Sequence, residues 1–94
     1  MTAKRYKNVW DAIEATPAEA ANMRLRSALM AELVAHIERS GLTQKEVASL
    51  LGVTQPRISD LTRGKIDLFS IDTLVNMLSA AGLRLDVHVV PAGR

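Results

Sequence analysis

The chain has 94 residues, 48% of them hydrophobic, with no cysteine and a formal net charge of +2. That is enough apolar material for one modest core and too much for a disordered tail. The missing cysteine excludes a disulfide scaffold and any thiolate metal site, while no apolar run approaches the eighteen or so residues of a membrane span and no signal-peptide core is visible, so the expectation is a cytoplasmic protein.

Residues 1–7 are polar and basic, with Lys4, Arg5 and Lys7 crowded together. Residues 8–14 read as one or two helical turns capped by Asn8, with Val9, Trp10 and Ile13 as apolar contacts. Thr16, Pro17 and Glu19 then form a strong helix start: a threonine cap, a proline at the first position and a glutamate closing the box. The spacing predicts a long helix from there to Ser40, with Leu25, Leu29, Leu33 and Ile37 recurring every fourth residue and Ala28 widening the stripe. Gly41 ends it.

Residues 43–62 predict two short helices joined by a tight turn. Thr43 with Glu46 is a capping box for the first, and Val47, Leu50 and Leu51 give it an apolar face. Ala48 is small where the two helices would cross. Gly52 sits just past the first helix end, where a positive φ is easiest for glycine. Thr54 caps the second helix, Pro56 falls in its first turn, and Ile58 and Leu61 turn inward. A loop over 63–69 follows. Ser70 caps a last helix over 71–81, with Leu74, Met77 and Leu78 inward and Gly82 as its stop.

Over 83–90 the period changes to two. Leu83, Leu85, Val87 and Val89 alternate with Arg84, Asp86, His88 and Val90, as in a half-buried β-strand ended by Pro91. No second strand is legible elsewhere, and an unpaired buried strand is costly, so the expected partner is the same strand of a second copy across a two-fold axis. The expected architecture is thus an all-α, five-helix bundle with a C-terminal β-strand that pairs in a homodimer. It divides into an arm at 1–15, a helical domain at 16–82 and a dimerisation strand at 83–94.

The frame of residues 44–61, QKEVASLLGVTQPRISDL, resembles the helix-turn-helix of the Xre/Cro-type repressors. Counted from Gln44, Ala48 is fifth and Gly52 ninth, and apolar Val47, Leu51, Val53, Ile58 and Leu61 fall fourth, eighth, tenth, fifteenth and eighteenth. Gln44 and Gln55 open the two helices as in that family, and Arg63-Gly64-Lys65 matches its glycine turn. The resemblance implies a repressor-like bundle whose second helix reads double-stranded DNA in the major groove. It points at Thr54, Gln55, Arg57 and Ser59 as base-facing residues and at Thr43, Gln44, Arg63 and Lys65 as phosphate contacts. Gln55 has the chemistry for adenine N6 and N7; Arg57 suits guanine O6 and N7, or phosphate. Within 43–65 the bases Lys45, Arg57, Arg63 and Lys65 outnumber the acids Glu46 and Asp60. Asp60 is expected to face Arg57 or Arg63 at helical spacing; the alternative is acceptance from cytosine N4. Pro56 departs from the commoner family pattern and leaves one position without a side-chain hydrogen bond.

The segments 22–30, NMRLRSALM, and 64–74, GKIDLFSIDTL, with the N-terminal Trp-Asp-Ala-Ile-Glu, are similar to HigA-type antitoxins. That second resemblance implies a protein that represses its own operon and neutralises a RelE-like toxin, with Val9, Trp10 and Ile13 as partner-binding residues. A packing role for Trp10 in the bundle stands beside it. Two further readings are a stand-alone Xre repressor without a toxin and a dimeric interaction module without DNA binding. Enzyme chemistry has little support: His36 and His88 share no motif, and no phosphate loop or metal-ligand spacing is present, so no catalytic residue, cofactor or metal is expected.

Overall fold

The structure, a computed structural model, describes residues 16–92. Four α-helices and one 3₁₀ turn make up its regular elements: α1 (Pro17–Ser40), α2 (Gln44–Leu51), α3 (Gln55–Thr62), the 3₁₀ turn (Ile66–Leu68) and α4 (Ile71–Ala80). The five-helix expectation is therefore corrected to four among the described residues; the turns expected over 8–14, with Val9, Trp10 and Ile13, lie outside them. The loop expected over 63–69 contains the 3₁₀ turn.

Every helix starts where a side-chain oxygen meets the free N–H groups of the first turn. Thr16 accepts from the Glu19 N–H at 2.9 Å, with Pro17 at the first position. Thr43 and Glu46 form the full reciprocal box, the Glu46 N–H donating to Thr43 Oγ1 at 3.1 Å and the Thr43 N–H to Glu46 Oε1 at 2.8 Å. Thr54 accepts from the Arg57 N–H at 3.3 Å and Ser70 from the Thr73 N–H at 3.0 Å.

The core is a single apolar cluster in which Leu33, Ile58, Leu61, Leu74 and Phe69 are essentially inaccessible. Burial of each such side chain stabilises the fold by about 1.5–3 kcal/mol. α4 packs along α1, and α2 packs on α3. The inner face of α1 is not the one its leucines suggest. Met23, Leu29, Met30, Leu33 and Ile37 are buried, whereas Leu25 is 48% exposed and Ala28 is exposed. A strict four-residue repeat drifts by about 40° per step around a 3.6-residue helix, so Leu25 falls off the stripe and the two methionines on its other side replace it. Leu50, likewise expected inward on α2, is 56% exposed.

The expected C-terminal strand is not formed. Among the described residues there is no strand and no sheet, and residues 83–92 are irregular. A strand is held by hydrogen bonds to a neighbouring edge, and the described residues offer none. The alternation survives only as packing. Leu83 and Leu85 lie against the bundle core, while Arg84 and Asp86 pair outside it at 3.3 Å. Val87 and Val89 are 76% and 90% exposed.

Candidate nucleic-acid interface

The turn between α2 and α3 is built by backbone chemistry. Gly52 adopts φ +71, the Gly52 N–H donates to Ser49 O at 3.3 Å and the Val53 N–H to Ala48 O at 3.0 Å. These two bonds close α2 and turn the chain directly into the Thr54 cap. The same motif recurs at the end of α3: Gly64 has φ +73, its N–H donates to Leu61 O at 3.0 Å and the Lys65 N–H to Asp60 O at 3.1 Å.

With Ile58 and Leu61 buried, the helical period turns Pro56, Ser59 and Arg63 to the opposite side of α3, with Gln55 and Asp60 flanking them. Gln55, Pro56 and Arg63 are exposed and Ser59 is half-buried. Gln44, Gln55, Pro56 and Ser59 line a shallow hollow of about 440 Å³ beside the two helix starts. Gln44 also reaches across to the end of α3, its Nε2 donating to Thr62 Oγ1 at 3.5 Å. Thr43 and Thr54 are exposed, and their hydroxyls, though accepting at the caps, retain a proton to donate. The uncapped first-turn N–H groups, those of Gln44 and Lys45 on α2 and of Gln55 on α3, add positive helix ends that favour an anion; Pro56 has none and that of Arg57 goes to Thr54.

The charges sort themselves unevenly. Glu46 is engaged in its capping box, and Asp60 pairs with Lys65 at 3.5 Å. Asp60 thus meets neither Arg57 nor Arg63, as helical spacing suggested: the Gly64 turn folds Lys65 back over Asp60 instead. No carboxylate of the described residues pairs with Arg57, Arg63 or Lys45. Of the residues singled out, Gln44, Gln55 and Ser59 converge on one hollow with Thr43, Thr54 and Arg63 around it, whereas Lys65 is held by Asp60. Arg57 stands apart from them: its guanidinium lies over the Phe69 ring, 4.3 Å from the centroid. Sequence reasoning placed Phe69 in a loop and missed both this stack and Arg26. Arg26 donates from Nε to Asn22 Oδ1 at 2.8 Å and from Nη1 to Ile66 O at 3.3 Å and Phe69 O at 3.5 Å, tying α1 to the 3₁₀ turn. The one usable signal was Phe69 itself, the lone phenylalanine of the chain, set in an expected loop.

His36 is half-buried on α1 and His88 exposed in the tail. Among the described residues no group of His, Asp and Glu could hold a metal ion, and no helix is long and apolar enough to cross a membrane.

Two short helices joined at a glycine turn, the second with a polar and basic outer face, define a helix-turn-helix protein. The sequence profile of a helix-turn-helix domain family matches residues 13–90, and the chain belongs to that family. It is 33% identical over 63 residues, 67% of its length, to an uncharacterized HTH-type transcriptional regulator of Haemophilus influenzae, and the match spans 63% of that relative. A solved structure assigned to the XRE family of transcriptional regulators superposes with a TM-score of 0.73 at 29% identity, over 81% of this chain and 85% of the other. These neighbours support the Xre type within the family.

Proposed function

We propose that this protein is a DNA-binding transcriptional regulator that lays α3 in the major groove of a double-stranded operator. The observation that supports it best is the outer face of α2–turn–α3: capped helix starts, a hollow lined by Gln44, Gln55, Pro56 and Ser59, arginines without a carboxylate partner among the described residues, and both local acids already engaged. Gln55 reads a base edge with Thr54 and Ser59 beside it; Gln44, Thr43 and Arg63 hold phosphates. The protein acts in the cytoplasm as a homodimer, and its operator is a pseudo-palindrome with half-sites about one helical turn apart on one face of the duplex. Of the four tail residues assigned to the dimer contact, Val87 and Val89 carry exposed apolar groups, whereas Leu83 and Leu85 also pack on their own core. Selection of duplexes from a random library, followed by a salt-titrated gel shift and footprinting, tests this. A chain that retards no duplex overturns the reading, and a single unpaired footprint overturns the dimer.

Within this class we favour an antitoxin that represses its own operon and neutralises a RelE-like toxin. The two segments that carry the resemblance, 22–30 and 64–74, are joined in the fold by the Arg26 hydrogen bonds to Ile66 O and Phe69 O. A stand-alone regulator fits the family equally well. The test is growth rescue: co-expression with the product of a neighbouring small basic gene should restore growth, and Trp10→Ala should abolish rescue while sparing DNA binding. Absence of any growth-arresting neighbour supports the stand-alone regulator.

A further inference from the structure

Arg57 is placed differently from every other basic residue of the proposed interface. It is half-buried, and its guanidinium carbon sits over the Phe69 ring, 4.3 Å from the centroid. No carboxylate pairs with it and no side-chain hydrogen bond engages it among the described residues. A cation over a ring is held without using any hydrogen-bond acceptor, so the N–H donors of Arg57 that are not turned to the ring remain open. The platform beneath it is rigid. Phe69 is 1% exposed, its N–H donates to Ile66 O at 3.2 Å, and its carbonyl accepts from Arg26 Nη1 at 3.5 Å. At the other end, the Arg57 backbone N–H is fixed by the Thr54 cap.

We infer that Phe69 is a positioning residue that holds Arg57 ready for a pair of acceptor oxygens or nitrogens on DNA. The inference rests on the DNA-binding reading above. An exposed arginine loses rotamer freedom when it docks; a stacked one has lost it on folding, so less affinity is forfeited at each contact. Lys65, tied to Asp60, and Arg63, exposed, lack this support. The acceptor pair is guanine O6/N7 or two phosphate oxygens, which offer the same fork geometry.

The test is a double-variant cycle on the duplex that the wild-type chain selects from a random library, well below each variant's melting temperature. Arg57→Ala should weaken binding roughly tenfold or more, and Phe69→Leu, which keeps an apolar side chain without a π face, roughly two- to fivefold. The double variant should bind no worse than Arg57→Ala alone. Additive losses would show that Phe69 acts only through the core and would overturn the proposal, as would an Arg57→Ala chain that binds normally. Should Phe69→Leu fail to fold, the Arg57 Nε–H resonance of the wild-type chain decides. A ring-current shift present in both the free and the DNA-bound protein supports the stack, and its loss on binding refutes it. Duplexes with 7-deazaguanine distinguish the acceptors: they erase the Arg57→Ala effect if guanine is read, while an unchanged effect with a salt slope lower by about one unit assigns phosphate. A wild-type chain that selects no duplex overturns the DNA-binding reading itself, a result distinct from additivity in the cycle.

Discussion

Asp60→Asn is the perturbation that most directly tests how charge is organised on α3. The carboxylate lies 3.5 Å from Lys65 Nζ, with the two side chains 27% and 45% exposed. A partly solvated pair of this kind contributes at most about 1 kcal/mol, so the neutral variant should melt only slightly below the wild type. Its effect on DNA binding has the opposite sign. A full negative charge about 10 Å from a phosphate, screened by water, costs about 0.4 kcal/mol, or about twofold in affinity. Removing it also releases Lys65, and one added phosphate contact should steepen the plot of log K against log salt by about 0.9. Fluorescence anisotropy over a salt series, on the selected duplex and on an unrelated one, measures both quantities. Binding should tighten on both duplexes, more at low salt. A loss confined to the selected duplex would refute the reasoning, because it would mean that Asp60 accepts from a cytosine N4 rather than neutralising Lys65.

Three further outcomes are expected. Gln55→Ala should cost about 1–3 kcal/mol on the selected duplex and relax preference at one base pair, as read by competition with singly substituted duplexes; unchanged specificity would mean that α3 is not seated in the groove as described. Gly64→Ala meets open space but must hold φ +73, so it should destabilise the fold by about 1–2 kcal/mol in denaturant titration; a neutral result would show that the turn after α3 relaxes freely. Ala48→Leu, at a position 5% exposed in the core, should lower stability by about 1–3 kcal/mol and weaken DNA binding by displacing α2 from α3; intact binding would place no demand on their close approach.

Local chemistry was enough to draw most of the domain. The threonine and serine caps, Pro17, the capping box of Thr43 and Glu46, and the glycines at 41, 52, 64 and 82 act within four or five residues of themselves, and the helix bounds followed from them. The turn at Gly52 was legible for the same reason, and with it the face of α3 and, Leu50 apart, that of α2. What depends on partners far along the chain was not. Which side of α1 is buried was decided by the elements packed on it: Met30 enters the cluster shared with α3 and α4, Met23 is buried as well, and Leu25 is turned out. The period-two pattern of 83–90 is a true local signal, but a strand exists only with an edge to pair, and the tertiary structure uses Leu83 and Leu85 to cover the bundle instead. Asp60 is a local exception: helical spacing assigned it to an arginine, but its partner Lys65 is reached through the left-handed turn at Gly64 rather than along the helix. The Arg57–Phe69 stack joins residues twelve apart, with Arg26 holding the Phe69 carbonyl from 43 residues away. Caps and turns were thus determined by the sequence itself, because their interactions close over short loops; the inward faces and the rigid arginine were decided only in the folded chain, where distant segments meet.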